Sequence, residues 1–261
     1  MPAVRIRSWM RMALLGPFFL CRPVGAAALG PESQFFEADS VKIHYLRQGA
    51  GEPVVLIHGL YASAALNWQR PGIFAALAAD HDVIALDLPG HGLSDKPDDA
   101  AAYGMQMVED VVLLLDRLNI RRAHIIGYSL GGMVALKFMV EHPDRVRSGT
   151  LGGMGWLREG SGLQKIWEHM SGRAFSSTPG VCVSSIAKLA LTEDELKAVQ
   201  APVEILIGDR DPVEKLYVAP LLSVRSDWPV IEIKGAGHIT CVMKPQFTDE
   251  LVKWINSNHG R

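Results

Sequence analysis

A serine, two aspartates and a histidine in this sequence each stand in a short glycine-bearing loop directly after an apolar run. Ser129 lies in Gly127-Tyr128-Ser129-Leu130-Gly131, Asp209 and Asp211 in Gly208-Asp209-Arg210-Asp211-Pro212, and His238 in Gly235-Ala236-Gly237-His238. A hydroxyl becomes a competent nucleophile when an adjacent imidazole takes its proton and a carboxylate orients that imidazole. Serine, acid, histidine is the chain order here. The spacing around Ser129 carries most of the signal. A serine on a tight strand-to-helix turn holds its hydroxyl clear, and side chains at the flanking glycine positions would collide with the neighbouring strand and helix. The amide of Leu130, opening a helix, then points where an oxyanion would form. Alone, G-x-S-x-G is also what a glycine-rich turn with an incidental serine looks like. Three coincidences of position together decide for chemistry.

The elements that must position these loops follow from hydrophobic periodicity. Val54-Val55-Leu56-Ile57 and Val83-Ile84-Ala85-Leu86 are continuous apolar runs, the mark of strands buried on both faces of a parallel sheet. Residues 123–126, 146–151, 203–207 and 230–233 read as further strands, and 35–38 with 41–45 as a pair turned at Asp39-Ser40. Helical patterns fill the intervals at 64–79, 108–118, after Ser129, at 214–224 and at 245–256. Strands alternating with helices predict an α/β fold, a mostly parallel central sheet with helices on both faces. Ligands in such sheets bind beyond the carboxyl ends of the strands, where all the reactive residues fall. The alternation stops between 152 and 200, leaving helical fragments near 163–170 and 192–199. The expected organisation is a core of 29–152 and 201–261 with a short inserted cap or lid at 153–200.

Composition excludes several function classes. A hydrophobic fraction of 48% and a charged fraction of 21% belong to an ordinary globular protein. A formal net charge of -2 gives no footprint for nucleic acid or an anionic surface. Cys21, Cys182 and Cys241 form no metal-type pair and no H-E-x-x-H occurs, so no metal and no cofactor is expected. The beginning of the chain differs from the rest. Arg5, Arg7 and Arg11 precede an apolar run over 12–21, and Val24-Gly25-Ala26-Ala27-Ala28 supplies small residues. That pattern predicts a cleaved signal peptide at 1–28 and export to the periplasm or beyond, with a cytoplasmic protein if the leader does not function. The run is about half the length of a bilayer span, so no stable membrane span is expected in the mature chain. Export would carry Cys182 and Cys241 into an oxidising compartment, which leaves their pairing open. Oligomeric state is not written in these patterns.

Together with His58-Gly59 and Asp87-Leu88-Pro89-Gly90-His91-Gly92-Leu93-Ser94, these motifs resemble the α/β-hydrolase superfamily over residues 35–256. The closest likeness is to its compact, cap-bearing serine members, the AB hydrolase-1 type. Haloalkane dehalogenases and epoxide hydrolases of that superfamily carry an aspartate at the turn, and Ser129 argues against both. The resemblance implies acyl transfer, with His238 as base, an acyl-enzyme on Ser129, and hydrolysis of that intermediate by water. It also implies Asp211 rather than Asp209 as the acid, because relatives place it as G-x-x-D counted from Gly208. It adds the Leu60 amide to that of Leu130 as a second oxyanion donor, while His58 and His91 are expected to brace loops. Leu60, Tyr61, Trp68, Tyr128, Leu130, Met154 and Trp156 are candidate pocket lining, mostly apolar, and each also has the character of a core residue. No lysine or arginine stands where a substrate carboxylate would bind, so the expected partner is a small neutral ester or lactone. Hydrolysis of a carbon–carbon or amide bond, or perhydrolysis, would use the same triad. A non-catalytic binder of small ligands is the reading from a different class.

Overall fold

The computed structural model describes residues 30–172 and 177–260. The expected leader at 1–28, with Cys21, lies outside the described residues. Strands β1 (Glu32–Ala38) and β2 (Val41–Gln48) form the hairpin read from the sequence, turned at Asp39 and Ser40, both at positive φ. Then follow β3 (Glu52–Ile57), β4 (His81–Leu86), β5 (Ala123–Tyr128), β6 (Val146–Gly152), β7 (Val203–Gly208) and β8 (Val230–Ile233). They make one eight-stranded sheet in the order β1-β2-β4-β3-β5-β6-β7-β8. β2 pairs antiparallel with β4, and every pairing from β4 through β8 is parallel.

Helices α1 (Ile73–Ala78), α2 (Met105–Arg117) and α3 (Leu130–Glu141) lie between these strands, and α7 (Ala219–Leu222) and α8 (Pro245–Ser257) follow β7 and β8. Side-chain parity sorts the strands into two cores. Val55, Ile57, Ile84 and Ile125 pack with Val111 and Leu114 of α2 and Phe138 of α3. Val54, Leu56, Val83 and Ile126 pack with Phe74 of α1 and Phe247 and Leu251 of α8. Successive strand side chains point to opposite faces, so a run that is apolar throughout requires a helical layer on each side.

Between β6 and β7 the chain forms α4 (Gly162–His169), α5 (Gly180–Ser185), a 3-10 turn at Ile186–Leu189 and α6 (Glu193–Ala198). The Thr192 side chain and Glu195 cap α6 reciprocally, and Glu195 pairs with Lys137 of α3 at 2.8 Å, tying this segment to the core. Thr178 Oγ1 donates to Gly90 O at 3.0 Å on another side. α5 was not legible because Val181-Cys182-Val183 is apolar throughout and offers no helical stripe. The helix expected at 64–79 is broken into a π-helical turn at Ala65–Gln69 and α1, with Pro71 and a left-handed Gly72 (φ 86°) between them. The pattern at 214–224 likewise resolves into a π-helical turn, Glu214–Val218, followed by α7. Cys182 and Cys241 are free and buried.

One buried carboxyl carries a pH-dependent cost. Glu204 on β7 is 2% exposed and accepts from Thr150 Oγ1 at 3.0 Å; burial pushes its carboxyl up to about 8. The folded chain therefore keeps Glu204 protonated where the unfolded chain ionises it. Its contribution is fully present below the ordinary carboxylate range and lost as pH rises towards 8. Glu204→Gln retains the acceptor and removes the proton, so it should stabilise the protein at pH 8 by on the order of a few kcal/mol relative to pH 4. Denaturant midpoints of both proteins at the two pH values test this, and an equal difference at both would contradict it.

Candidate active site

β5 ends at Tyr128 and α3 begins at Leu130, leaving Ser129 at the turn with φ 53° and ψ -116°. L-residues rarely adopt this conformation, and holding it costs about 1–3 kcal/mol. The Ser129 N–H donates to Gly152 O at 2.8 Å, which fastens the turn to the end of β6. Space dictates the flanking glycines. A Cβ on Gly127 would lie 1.9 Å from Gly131 O, and one on Gly131 would lie 2.0 Å from Ile57 O.

Ser129 Oγ lies 2.9 Å from His238 Nε2, and His238 Nδ1 lies 2.8 Å from Asp211 Oδ2. An ionised carboxylate only accepts, so Nδ1 carries the imidazole proton and Nε2 presents its lone pair to the serine hydroxyl. The Asp211 side chain is fully buried and also accepts from the Val213 N–H at 3.0 Å, while that of His238 is 33% exposed. Asp209 behaves differently. Its oxygens accept from the Gly235 and Ala236 N–H groups at 3.0 and 3.1 Å, pinning the loop that leads into His238. The Tyr128 hydroxyl donates to the backbone carbonyl of His238 and holds the same loop from below.

The Leu130 and Leu60 N–H groups make no hydrogen bond among the described residues. A helix start leaves its first N–H groups free, which accounts for Leu130. Beside Leu60, the Gly59 N–H is taken by Asn67 Oδ1 at 2.8 Å. His58 is held on both sides, Nδ1–H donating to Gly59 O at 2.8 Å and Nε2 accepting from the Leu88 N–H at 3.0 Å. Burial lowers its basicity, so it is a neutral brace. His91 donates through Nδ1 to Pro89 O at 2.9 Å, and burial pushes it down to about 3. Neither imidazole lines the cavity at Ser129.

Sequence reasoning missed the anchor of this loop system, Asp87. It accepts from His44 Nδ1 at 2.8 Å, the Ala64 N–H at 2.7 Å and the Leu93 N–H at 2.9 Å. Burial works against its charge, but the hydrogen bonds from His44 and from the Leu93 and Ala64 amides outweigh it and hold the carboxyl down to about 2. A Cβ on Gly92 would fall 2.0 Å from that carboxylate, so the glycine spacing in Asp87-Leu88-Pro89-Gly90-His91-Gly92 was the available signal.

A cavity of about 530 Å³ opens onto Ser129 and His238. Leu60, Tyr61, Tyr128, Leu130 and Met154 line it. Trp68 and Trp156, also expected there, do not. Trp68 is fully buried in the core layer of α1 and α8, and Trp156 is buried in the opposite core, donating Nε1–H to Leu191 O at 2.8 Å. Closeness to a motif along the chain does not fix the direction in which a side chain points. The segment between β6 and β7 supplies Trp167, Met170 and Ile186 instead, and the stretches after β7 and β8 supply Val213, Tyr217 and Met243. Among the described residues no lysine, arginine, aspartate or glutamate lines this cavity. Among the described residues no group of side chains could hold a metal ion, and no helix is long and apolar enough to cross a membrane.

Residues 52–178 match the family model of the alpha/beta hydrolase fold. Over 187 residues, 70% of this chain and 65% of the other, the sequence is 29% identical to a 2-hydroxymuconate semialdehyde hydrolase of Pseudomonas sp. (strain CF600). Over 108 residues, 41% of this chain and 40% of the other, it is 43% identical to a putative carbamate hydrolase, RutD, of Variovorax paradoxus (strain S110). The solved structure of Est816, an N-acyl homoserine lactone degrading enzyme, superposes with a TM-score of 0.68 at 25% identity, covering 85% of this chain and 99% of that one. The chain has the α/β-hydrolase fold. Its matches span from 31% to 65% of the length of the curated relatives.

Proposed function

We propose that this chain is a serine hydrolase of neutral carboxylic esters or lactones, acting through an acyl-enzyme on Ser129. The observation that carries the reading is the relay from Ser129 Oγ to His238 to Asp211, at 2.9 and 2.8 Å, facing the cavity. His238 Nε2 takes the hydroxyl proton as Oγ attacks the carbonyl carbon, and the carbonyl π pair moves onto oxygen. The free N–H groups of Leu60 and Leu130 meet that oxyanion, each donor worth about 3 kcal/mol in comparable sites. Collapse expels the alcohol oxygen with the proton from Nε2. Water then repeats the sequence on the acyl carbon and frees the acid. Asp211 holds the tautomer and balances the imidazolium.

A cavity wall without charged side chains among the described residues supports a neutral substrate, since a desolvated carboxylate would find no counter-charge there. The likeness to 2-hydroxymuconate semialdehyde hydrolase supports a second reading, cleavage of a carbon–carbon bond by the same triad, and the likeness to RutD a third, carbamate cleavage. The leader pattern at 1–28 supports export. A panel of chromogenic esters, lactones, carbamates and carbon–carbon substrates tests these readings. The expected result is kcat/KM at least about tenfold higher for a neutral ester than for one of equal length ending in a carboxylate. Turnover of the carbon–carbon substrate with none of any ester would replace this reading by the second.

A further inference from the structure

Two π-helical turns stand among the described residues, Ala65–Gln69 and Glu214–Val218, and each places a polar side chain in the cavity wall, Asn67 and Tyr217. Such turns account for well under about 1% of residues and concentrate at functional sites. Asn67 already has a task, its Oδ1 fixing the Gly59 N–H beside Leu60. Tyr217 has none in the reaction. It is 6% exposed, and its hydroxyl lies 3.0 Å from Trp167 Nε1. An indole nitrogen only donates, so the phenol oxygen is the acceptor in that contact. The O–H proton of Tyr217 is then left without an acceptor among the described residues.

A buried donor left unpaired costs about 1–3 kcal/mol, so native structures seldom keep one without a purpose. Met133, Met154, Ile186 and Val213 of the lining carry no side-chain oxygen, and Asn67, Ser129 and Ser171, which do, are not hydrogen-bond partners of Tyr217. The acceptor must therefore enter with the occupant of the cavity. The donor is also held in place. The Trp156 N–H donates to Tyr217 O at 2.9 Å, and Gly155 approaches so closely that a Cβ would lie 2.3 Å from that oxygen. Trp167 fixes the far end of the ring. Burial raises the phenol above its ordinary value, which keeps the proton on it.

We propose that Tyr217 is a specificity-determining residue whose hydroxyl donates to a second neutral oxygen of the substrate, a ketone, amide or ether oxygen apart from the scissile carbonyl. This rests on the ester or lactone reading above and narrows it to substrates with a polar group inside an otherwise apolar chain. A single phenolic donor in a wall without cations among the described residues suits a neutral acceptor, and those residues give a carboxylate nothing to balance its charge.

The test compares p-nitrophenyl octanoate with a series of oxo-octanoates in which the ketone is moved along the chain. The quantity read is the ratio of kcat/KM for each oxo-ester to that for the plain ester. Tyr217→Phe is expected to lower this ratio about tenfold at one ketone position, mainly through KM. A ratio unchanged within about twofold at every position overturns the proposal. A second arm separates this outcome from failure of the hydrolase reading. Calorimetry on Ser129→Ala protein measures binding of the same esters without turnover, and adding Tyr217→Phe should weaken the favoured oxo-ester selectively by about tenfold. If the wild type turns over neither ester while that difference in binding persists, the hydrolase reading falls and this one stands. If both esters turn over and neither arm depends on Tyr217, the reverse holds.

Discussion

Ser129→Ala is expected to lower ester turnover by roughly 10⁵–10⁶-fold while moving the thermal midpoint by only a few degrees. The large effect follows from the hydroxyl being the attacking atom, 2.9 Å from the imidazole nitrogen that takes its proton. The small one follows from how little the fold asks of that hydroxyl. The turn is held by the Ser129 N–H on Gly152 O and by glycines at 127 and 131, none of which the substitution touches. Losing one partly exposed hydrogen bond removes on the order of 1 kcal/mol from a domain of this size. Chromogenic ester assays and thermal melts of both proteins check the two halves. Near-native turnover in the variant would contradict the nucleophile, and a collapsed midpoint would make the serine structural.

The second large effect separates two aspartates that share one loop. Asp211→Asn should lower kcat by about 10⁴-fold, because an amide can present N–H to His238 Nδ1 and so favour the tautomer whose proton faces Ser129. Nε2 then has no lone pair to receive the serine proton. Asp209→Asn should change kcat by less than about tenfold, since its oxygens serve the Gly235 and Ala236 amides and the imidazole is not among its partners. The asparagine keeps one acceptor for that turn. Rates and melts of both variants decide the matter, and the reverse ordering would make Asp209 the orienting acid.

The parts of this site that were legible in the sequence are those enforced by local sterics or by two-sided burial. Val54-Val55-Leu56-Ile57 had to be a central strand because its alternate residues enter different cores. Gly127 and Gly131 marked the turn because no side chain fits at either place. What escaped depends on partners far along the chain. Asp87 gathers His44 and Ala64, 43 and 23 residues away, and no local pattern announces such a meeting. Trp68 and Trp156 lie near motifs yet face the cores, because packing against distant residues and not distance along the chain sets where each side chain points. The π-helical turns look like ordinary helix in composition, so the placing of Tyr217 opposite Trp167, 50 residues earlier, could not be read.

The most direct measurement is the fate of Ser129 under a fluorophosphonate probe, followed by intact mass and peptide mapping alongside residual ester turnover. The relay of Ser129, His238 and Asp211 predicts one phosphonyl group per folded chain, on the peptide carrying Ser129, appearing in step with loss of activity. Asp211→Asn protein should label far more slowly, and denatured protein not at all. Full ester turnover by a chain whose Ser129 is completely labelled, or inactivation with the label on another residue, would contradict it.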